Sequence, residues 1–445
     1  MAKILICGAG FQNKGAEAML RTVQAELLKR VPEVDLFLWG IPEEDCRLAL
    51  DAGMNPLPLP FALQLSMWRI LGGRIRRSLW SMSELCRSRN FKHCLAVFDR
   101  EALFSRACRN YFQRVLPRID AYVDISGFSY GDSWGVRAFQ RIRPLIDDWR
   151  EHGKPAVFLP QAWGSFENAE VKRALRGLLS DPCVLFYSRD PSSCRYLENA
   201  LEKPMGTFAP CPDIVFNFRG GTREQGEQVL RNMGCAMRRR IVGIAPNMQV
   251  FERVSGKGTG NGYVQALAKL AKHCLENHDV DVVLQANKIS ADSAAKDDRF
   301  LCSLIAAMVN RPDRCFMTRE PLCAEAAWAL IGRFEFLIGS RFHSLVFGFS
   351  QGVPAMAVSW SHKYRELFSL FGMERSVQEC ESIDTGALIS AFDRGWMERH
   401  EQKPRILARM KELRAEVDAV FDEVASAIRG DNTKRNVRYH TGNRG

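Results

Sequence analysis

Short apolar runs alternate with amphipathic stretches along the whole chain. Five apolar runs lie in the first half, at 3–8, 35–39, 121–126, 156–160 and 184–188, and four in the second, at 241–246, 281–285, 336–340 and 355–359. Stretches with helical spacing fall between them, for example 16–30 and 264–276. Strands that alternate with helices in this way are typical of parallel βα units. The sequence therefore predicts an α/β protein.

The two series of strands are separated by the segment 218–240, which contains Gly220 and Gly221 and shows little alternation. We predict a linker there, because glycine-containing breaks between periodic segments mark loops. The chain has 445 residues, which is too long for one ordinary hydrophobic core. The sequence thus predicts two Rossmann-like domains, 1–217 and 241–400, that face each other across a cleft where a ligand binds.

A single apolar stripe marks the C-terminal region. Apolar residues recur at intervals of three or four from Ile406 to Ile428, and this spacing predicts an amphipathic helix over 404–430 that packs on a domain surface. The polar and basic residues 431–445 follow it. We predict that this tail is disordered.

The formal net charge of +11 is confined to two segments. Residues 61–120 contain twelve Lys and Arg against four Asp and Glu, and residues 431–445 contain four against one. No nucleic-acid recognition motif accompanies them, so we predict no nucleic-acid partner. Within the basic insertion 61–118, the stretch 61–80 mixes Trp, Leu and Phe with four arginines, as a helix lying on an anionic membrane surface would. A packed helix with a solvated basic face is the alternative.

The cellular compartment follows from what the sequence lacks. The N-terminus does not have the pattern of a signal peptide, and no apolar stretch reaches the length of a membrane span. We predict a cytoplasmic protein, or one at the inner face of the cell membrane if 61–80 binds lipid. The 14 cysteines form no CxxC pair. His273, Cys274 and His278 lie together, but zinc prefers four convergent ligands, so we predict no metal site.

The segment 4–20, ILICGAGFQNKGAEAML, has the pattern of a strand, a glycine-rich turn and the start of a helix. Gly8, Gly10 and Gly15 would let a ligand approach backbone amides at a helix N-terminus, where negative charge is favoured. The position of the third glycine in a dinucleotide fingerprint is Asn13. A ligand loop and a purely structural turn both remain open for this segment.

Polar residues follow three other predicted strands of the first domain, in DISGFSYGD (124–132), LPQAWGSF (159–166) and YSRDPSS (187–193). Aromatic rings beside carboxylates are common in sugar-binding surfaces, although we expect Phe128 to lie in the core. Arg189 comes directly after a buried strand, a position that suits an anionic ligand. An ion pair with Asp190 or Asp213 is the alternative.

The strongest local pattern is FLIGSRFHSLVFGFSQGVPAMAVSWSHKYRELFSLFGM at 336–373. In extended geometry Arg341 and His343 would share one face of the strand end while Phe342 points away. Lys363 follows the next strand at the same edge of the sheet. Two cations and an imidazole at adjacent strand ends predict a pocket for an anion that also offers a proton donor. A histidine satisfied within the core is the alternative for His343.

Taken together, these segments resemble the polysaccharide pyruvyl transferase family across most of residues 3–370. The resemblance rests on GAGFQNKGAEAML, SGFSYGD, PQAWGSF and SRDPSS, and above all on SRFHS followed by QGVPAMAVSWSHKYRELF. It implies two Rossmann-like domains in a GT-B-like arrangement and the transfer of pyruvate from phosphoenolpyruvate to a sugar as a ketal. The chain departs from the family in having SGF where GGG is frequent and in the basic insertion 61–118.

The resemblance also implies roles for individual residues. The C-terminal domain would bind phosphoenolpyruvate, with Arg341, His343 and Lys363 as catalytic residues and protonated His343 as the acid. As a hypothesis apart from the resemblance, Asp132 or Glu17 accepts the proton of the sugar hydroxyl. The further substrate-binding residues of the prediction are Arg189, Asn13, Gly15, Glu17, Asp132 and Gln161. No cofactor is expected besides the donor substrate, and the other partner is a saccharide of the cell envelope, either polymeric or lipid-linked.

Two other functions compete with this interpretation. A GT-B nucleotide-sugar glycosyltransferase would also use Arg341 and Lys363, but the Arg-x-His pattern with a downstream lysine and the lack of a ribose-binding carboxylate motif disfavour it. A non-catalytic sugar-metabolite sensor should have lost the cations and the histidine, and all of them are present. The sequence does not select the acceptor.

Overall fold

The computed structural model describes residues 1–41, 45–57, 119–289 and 297–431. The predictions for the basic insertion 61–118, including the interfacial helix at 61–80, lie outside these residues, as does the prediction for the tail after 431.

Six parallel strands form the N-terminal sheet in the order β3-β2-β1-β4-β5-β6. They are β1 (Ala2–Cys7), β2 (Val34–Trp39), β3 (Asn55–Leu57), β4 (Ala121–Asp124), β5 (Ala156–Gln161) and β6 (Val184–Ser188). The described helices of this domain are α1 (Lys14–Arg30), α2 (Asp45–Asp51), α3 (Arg137–Glu151), α4 (Ala169–Leu179) and α5 (Pro191–Leu201). Strands β4 and β5 are buried along their whole length, as expected of a parallel sheet covered on both faces.

The C-terminal sheet also has six parallel strands, in the order β12-β11-β10-β7-β8-β9. They are β7 (Arg240–Ala245), β8 (Val280–Leu284), β9 (Cys315–Met317), β10 (Phe336–Gly339), β11 (Ala355–Ser359) and β12 (Val377–Glu379). The described helices that follow α5 in the chain are α6 (Arg223–Asn232), α7 (Met248–Phe251), α8 (Gly262–Asn277), α9 (Asp298–Val309), α10 (Ala324–Ile331), α11 (Phe342–Ser350), α12 (Lys363–Ser369) and α13 (Thr385–Arg429).

Both sheets have the strand order 3-2-1-4-5-6 of a Rossmann fold when each is numbered from its own first strand. The predicted α/β architecture with two Rossmann-like domains is therefore confirmed. All nine predicted strands are present, with ends displaced by at most two residues. The three that were not predicted, β3, β9 and β12, are three-residue strands at sheet edges, too short to show a periodic pattern. In such folds ligands bind beyond the carboxyl ends of the strands.

The predicted linker 218–240 differs from the structure, because it contains helix α6. This helix packs closely on α10: a methyl group on Gly226 would lie 2.3 Å from the carbonyl oxygen of Ala329. Only a residue without a side chain allows that approach. The segment is therefore part of the packed structure, and its break in apolar alternation comes from the short helix rather than from a free connection.

The C-terminal helix α13 begins at Thr385 rather than at 404, and Pro404 lies inside it. The predicted apolar stripe is buried from Ile406 onward and belongs to a core cluster that includes residues of both sheets, for example Ile4 and Leu337. At its end, α13 forms ion pairs with Arg30 of α1 through Asp418 and Asp422. The helix thus ties the two domains together. None of the described helices is long and apolar enough to cross a membrane.

Candidate active site

Side chains from both domains meet around the ring of Phe342. Arg189 follows β6 of the N-terminal sheet, and its guanidinium carbon lies 4.6 Å from the centre of the Phe342 ring. Lys363 opens α12 after β11, and its Nζ lies 5.7 Å from the same centre. The ring of His343 lies 5.3 Å from that of Phe342. The structure therefore brings together Arg189, His343 and Lys363, three of the predicted site residues.

The position of Phe342 itself differs from the prediction. Arg341 is the N-cap of α11, and the helix begins at Phe342, so 341–343 is not an extended strand end. Successive residues of a helix point about 100° apart, and Phe342 therefore turns toward the cations instead of away from them. A cation above an aromatic face is attracted by the ring. Phe342 is a site residue that the alternation argument missed.

Asp213 connects two members of this group. Its Oδ2 accepts a hydrogen bond from Arg189 Nη1 at 2.9 Å and lies 3.7 Å from His343 Nε2. Its Oδ1 accepts from the backbone N–H of Val215 at 2.9 Å, which fixes the carboxylate at the start of a 3₁₀ turn (Ile214–Asn217). The sequence suggested Asp213 only as an alternative partner of Arg189. That ion pair is present, and its carboxylate also faces the histidine.

The glycine-rich loop forms the wall behind His343. A methyl group on Gly15 would lie 2.1 Å from His343 Nδ1, so the imidazole occupies the space that any other side chain would fill. Asn13 caps α1 by accepting a hydrogen bond from the Gly15 N–H at 3.0 Å. The backbone N–H of Lys14 donates to the carbonyl of Asn287 at 3.2 Å, across the domain boundary. The loop is thus a structural turn and a wall of the site at once.

Burial controls the protonation of His343. Its side chain is 16% exposed, and removal from water lowers its pKa to about 4, an effect that Arg189 and Lys363 increase and that Asp213 opposes. Nε2 has no hydrogen-bond partner among the described residues. The free protein therefore holds His343 neutral at pH 7. The protonated acid of the sequence-based prediction requires a bound anion to restore the charge.

The pKa of Lys363 is lowered as well. Burial and the neighbouring guanidinium groups of Arg189 and Arg341 lower its pKa to about 7, while Asp190 acts in the opposite sense. Its ammonium also lies 4.4 Å from the centre of the Trp360 ring. Lys363 is therefore only about half charged at pH 7 in the free protein, and an anion in this position would complete its protonation.

Arg341, which the sequence predicts as a catalytic residue, is held in an ion pair. Its guanidinium forms a two-point ion pair with Asp298 of α9, at 2.8 Å from Nε to Oδ2 and 2.5 Å from Nη2 to Oδ1. Asp298 is fully buried and also accepts from the backbone N–H groups of Met248 and Lys288. Through Asp298 the arginine joins the loops after β7 and β8, while its charge still acts on Lys363.

The two predicted acceptor-side carboxylates are engaged in local structure. Glu17 is buried, pairs with Lys14 Nζ at 2.7 Å, and has its pKa raised chiefly by burial. Asp132 accepts hydrogen bonds from Ser165 and from the backbone N–H groups of Glu167 and Asn168, and so braces the loop before α4. In the part of the chain that the structure describes, neither carboxylate contacts His343.

Two buried glutamines at strand ends have unpaired amides. Gln161 ends β5 and Gln285 follows β8, and the side-chain nitrogen and oxygen of both lack partners among the described residues. Buried polar groups almost always have hydrogen-bond partners in proteins. These amides are therefore available to water or ligand near the carboxyl ends of the two sheets. Gln161 was predicted from the sequence, and Gln285 was not.

A cleft of about 370 Å³ opens on the other side of the glycine-rich loop. Both domains contribute to it, with Lys288 coming from the C-terminal domain. That volume is at the lower end of the range for small-molecule sites. Its lining residues are Cys7, Gly8, Ala9, Gly10, Gln12, Asn13, Ala16, Trp39, Gly40, Asp45 and Lys288.

Solved structures with the same architecture are glycosyltransferases and sugar-nucleotide epimerases of GT-B fold. A UDP-N-acetylglucosamine 2-epimerase matches with a TM-score of 0.57 at 10% identity, over 98% of this chain and 97% of that chain. A UDP-forming trehalose-phosphate synthase from Burkholderia xenovorans matches with 0.52 at 12% identity, over 98% and 100%. A glycosyltransferase from Rickettsia africae matches with 0.51 at 10% identity, over 97% and 96%. At these identities the likeness establishes the fold class alone.

The family is established by the sequence. The family model for polysaccharide pyruvyl transferase matches residues 13–362, so the chain belongs to the polysaccharide pyruvyl transferase family and is a transferase of polysaccharide biosynthesis. The amylovoran biosynthesis protein AmsJ of Erwinia amylovora is 23% identical over 406 residues, which cover 90% of this chain and 93% of the relative. The resemblance inferred from the motifs is thereby confirmed.

Proposed function

We propose that this enzyme transfers the pyruvyl group of phosphoenolpyruvate to two hydroxyls of one sugar, forms a cyclic ketal and releases phosphate. The observation that supports the proposal is the convergence of Arg189, His343 and Lys363 on Phe342 from two domains. The acceptor belongs to an envelope or extracellular polysaccharide, or to its lipid-linked precursor. Phosphoenolpyruvate is the donor substrate, and no further cofactor takes part in the proposed reaction.

The donor carries a carboxylate and a phosphate, about three negative charges at neutral pH. Arg189 offers the planar fork that suits either group. Lys363, half charged in the free protein, gains a full charge when the anion arrives. The same anion raises the pKa of His343, and Asp213, 3.7 Å from Nε2, favours the imidazolium as well. Donor binding therefore creates the acid that the reaction needs.

The reaction balances as follows. The imidazolium of His343 gives its proton to the methylene carbon, which becomes a methyl group and leaves an oxocarbenium-like centre at C2. A sugar hydroxyl adds to C2 and loses its proton. A second hydroxyl of the same sugar then forms the other C–O bond as the bond between C2 and the phosphate oxygen breaks. The second hydroxyl proton and the phosphate leave together as hydrogen phosphate, and the first hydroxyl proton restores the acid.

The contacts of Glu17 with Lys14 and of Asp132 with the loop before α4 favour structural roles for these two carboxylates. Asp213 is the carboxylate beside the proposed acid. We assign it as a positioning residue that orients His343 and holds Arg189. Its place beside His343 also makes it a better candidate than Glu17 or Asp132 for passing the acceptor's proton back to that histidine.

The test is to incubate the enzyme with phosphoenolpyruvate and a panel of saccharides, free and lipid-linked, and to measure released phosphate and the mass of the acceptor. We expect stoichiometric phosphate release and a mass gain of one pyruvyl group, both about 10²- to 10⁴-fold slower with His343→Gln. Phosphate release without a mass gain would indicate hydrolysis. Transfer from a nucleotide sugar, without any reaction of phosphoenolpyruvate, would instead establish the glycosyltransferase alternative. Membrane contact through 61–80 stays a separate prediction, tested by deleting that segment and measuring liposome binding.

A further inference from the structure

Two histidines and one carboxylate lie close together within the C-terminal domain, in a different part of the fold from the candidate active site. His273 lies four residues before the end of α8, His278 caps the end of that helix, and Asp393 lies in the third turn of α13. They stand where the chain enters β8, at the amino end of that strand. The proposed active site lies at the opposite, carboxyl ends of the strands.

The ligand-type atoms of this group point at one another. His273 Nε2 lies 2.8 Å and His278 Nε2 3.2 Å from the same oxygen, Asp393 Oδ1, and the three atoms fall within 4.8 Å of one another. Zinc bonds of about 2.0–2.1 Å to nitrogen and 2.0–2.2 Å to oxygen place tetrahedral ligands about 3.3 Å apart. The two separations between histidine and aspartate are therefore close to those between corners of a metal tetrahedron, and the two Nε2 atoms lie within 4.8 Å of each other.

The surroundings fit a metal site as well. Phe392 packs edge-on against both imidazole rings, and Trp396 lies 5.4 Å from the ring of His278, so the polar group sits in an apolar shell. The two histidine side chains are each 21% exposed and Asp393 is 40% exposed. An ion can therefore enter from solvent, and water or the second oxygen of Asp393 can complete its coordination.

A metal bound at Nε2 leaves the imidazole proton on Nδ1. In His273 this atom lies 3.1 Å from the side-chain amide nitrogen of Asn277. The same amide nitrogen also donates to the backbone carbonyl oxygen of His273 at 3.1 Å. Metal binding at Nε2 would therefore require Asn277 to move away from Nδ1.

We propose that His273, His278 and Asp393 bind a divalent transition metal, with Zn²⁺ as the fitting ion, and that this metal fastens the first part of α13 to the end of α8. The sequence offered only the two histidines. The third ligand comes from a helix more than a hundred residues further on, which explains why local spacing predicted no metal here. The site is structural and stands apart from the transfer chemistry, so it holds whatever the donor substrate proves to be.

The experiment uses the full-length protein, stripped with a chelator and titrated with Zn²⁺ in a calorimeter. We expect one ion per chain, a loss of at least tenfold in affinity in Asp393→Asn and His278→Gln, and no change in His400→Gln, an exposed histidine of the same helix. Zinc at a hundred times its dissociation constant should also shift the unfolding equilibrium about a hundredfold. That shift is measured as a rise in melting temperature in the wild type and is absent in Asp393→Asn.

Co²⁺ as a second probe identifies the ligands, because the chain also carries 14 cysteines. A tetrahedral visible spectrum without a thiolate charge-transfer band is expected. The proposal is wrong if the stripped protein binds no zinc, if Asp393→Asn binds it as tightly as the wild type, or if the cobalt spectrum shows thiolate ligation.

Discussion

Raising the pH above 7 should weaken the binding of phosphoenolpyruvate, because Lys363 loses its proton in the free protein. Burial, together with Arg189 and Arg341, lowers the pKa of Lys363 to about 7 from an ordinary value of 10.5. A bound anion favours the ammonium, so the pKa in the complex lies well above 7. Below pH 7 the ammonium is present before and after binding, and Lys363 adds no pH dependence. Above pH 7 each binding event takes up one proton.

The size of the effect follows from this linkage. The dissociation constant approaches a tenfold rise per pH unit above the lower pKa, which amounts to about fiftyfold between pH 7 and pH 9. Proton uptake on binding is about half a proton at pH 7 and about 0.9 at pH 8. A lysine with an ordinary pKa would give no dependence over the same range.

The measurement is best made in the His343→Gln protein, which removes the histidine's own titration and is expected to turn over only slowly. Calorimetry at pH 7, 8 and 9, in two buffers with different enthalpies of ionisation, gives the dissociation constant and the number of protons taken up. Adding Lys363→Arg replaces the titrating group with a permanent cation and should abolish both the slope and the uptake. A flat affinity between pH 7 and 9, or an unchanged slope after Lys363→Arg, would refute the reasoning.

Four further substitutions test the site. His343→Gln should lower turnover by about 10² to 10⁴ if the imidazole is the general acid, and wild-type rates would remove it from the mechanism. Gly15→Ala places a methyl group 2.1 Å from His343 Nδ1 and must displace the imidazole. It should lower kcat by about 10², since a displacement near 1 Å can cost that much. An unchanged kcat would show that the reaction does not depend on this position of the imidazole. Asp213→Asn should lower kcat through His343 while lowering the KM for phosphoenolpyruvate, because Arg189 is released from its carboxylate. A lower kcat together with a raised KM would argue for a merely structural role. Asp298→Ala leaves Arg341 without its partner and should destabilise the fold by about 3–5 kcal/mol, as measured by urea unfolding, whereas a loss below 1 kcal/mol would mean that this pair is not structural.

The fold could be predicted from the sequence because its signal is repeated in the chain. Nine buried strands each leave an apolar run bounded by polar residues, and parallel topology follows from the helices between them. The three edge strands were not predicted because a three-residue strand such as Asn55–Leu57 is too short to show an apolar run or an alternation. The start of α13 was predicted wrongly for another reason. Proline usually breaks a helix, but Pro404 lies inside one continuous helix.

The site was predicted less completely because its geometry depends on contacts between distant residues. His343 and Lys363 could be predicted as neighbours because the ends of adjacent parallel strands meet at one edge of a sheet. Arg189 follows a strand of the other sheet, and only the family resemblance placed it with them. The pairing of Arg341 with Asp298 could not be predicted, since Asp298 follows a different strand and nothing in the local spacing marks it. The change from strand to helix at Phe342 had the largest consequence, because it brought the Phe342 ring beside His343, Arg189 and Lys363.

The net positive charge of the free pocket is also lower than a count of its basic residues suggests. Two arginines and a lysine together would match the three charges of phosphoenolpyruvate, yet Arg189 is paired with Asp213 and Arg341 with Asp298. His343 is neutral and Lys363 half charged at pH 7. The free pocket therefore carries much less than three positive charges, and the donor must draw in protons to be neutralised. Those protons bind to His343 and Lys363, the two groups that the proposed reaction uses. Donor binding and activation of the acid are therefore one step. That step needs side chains from both domains.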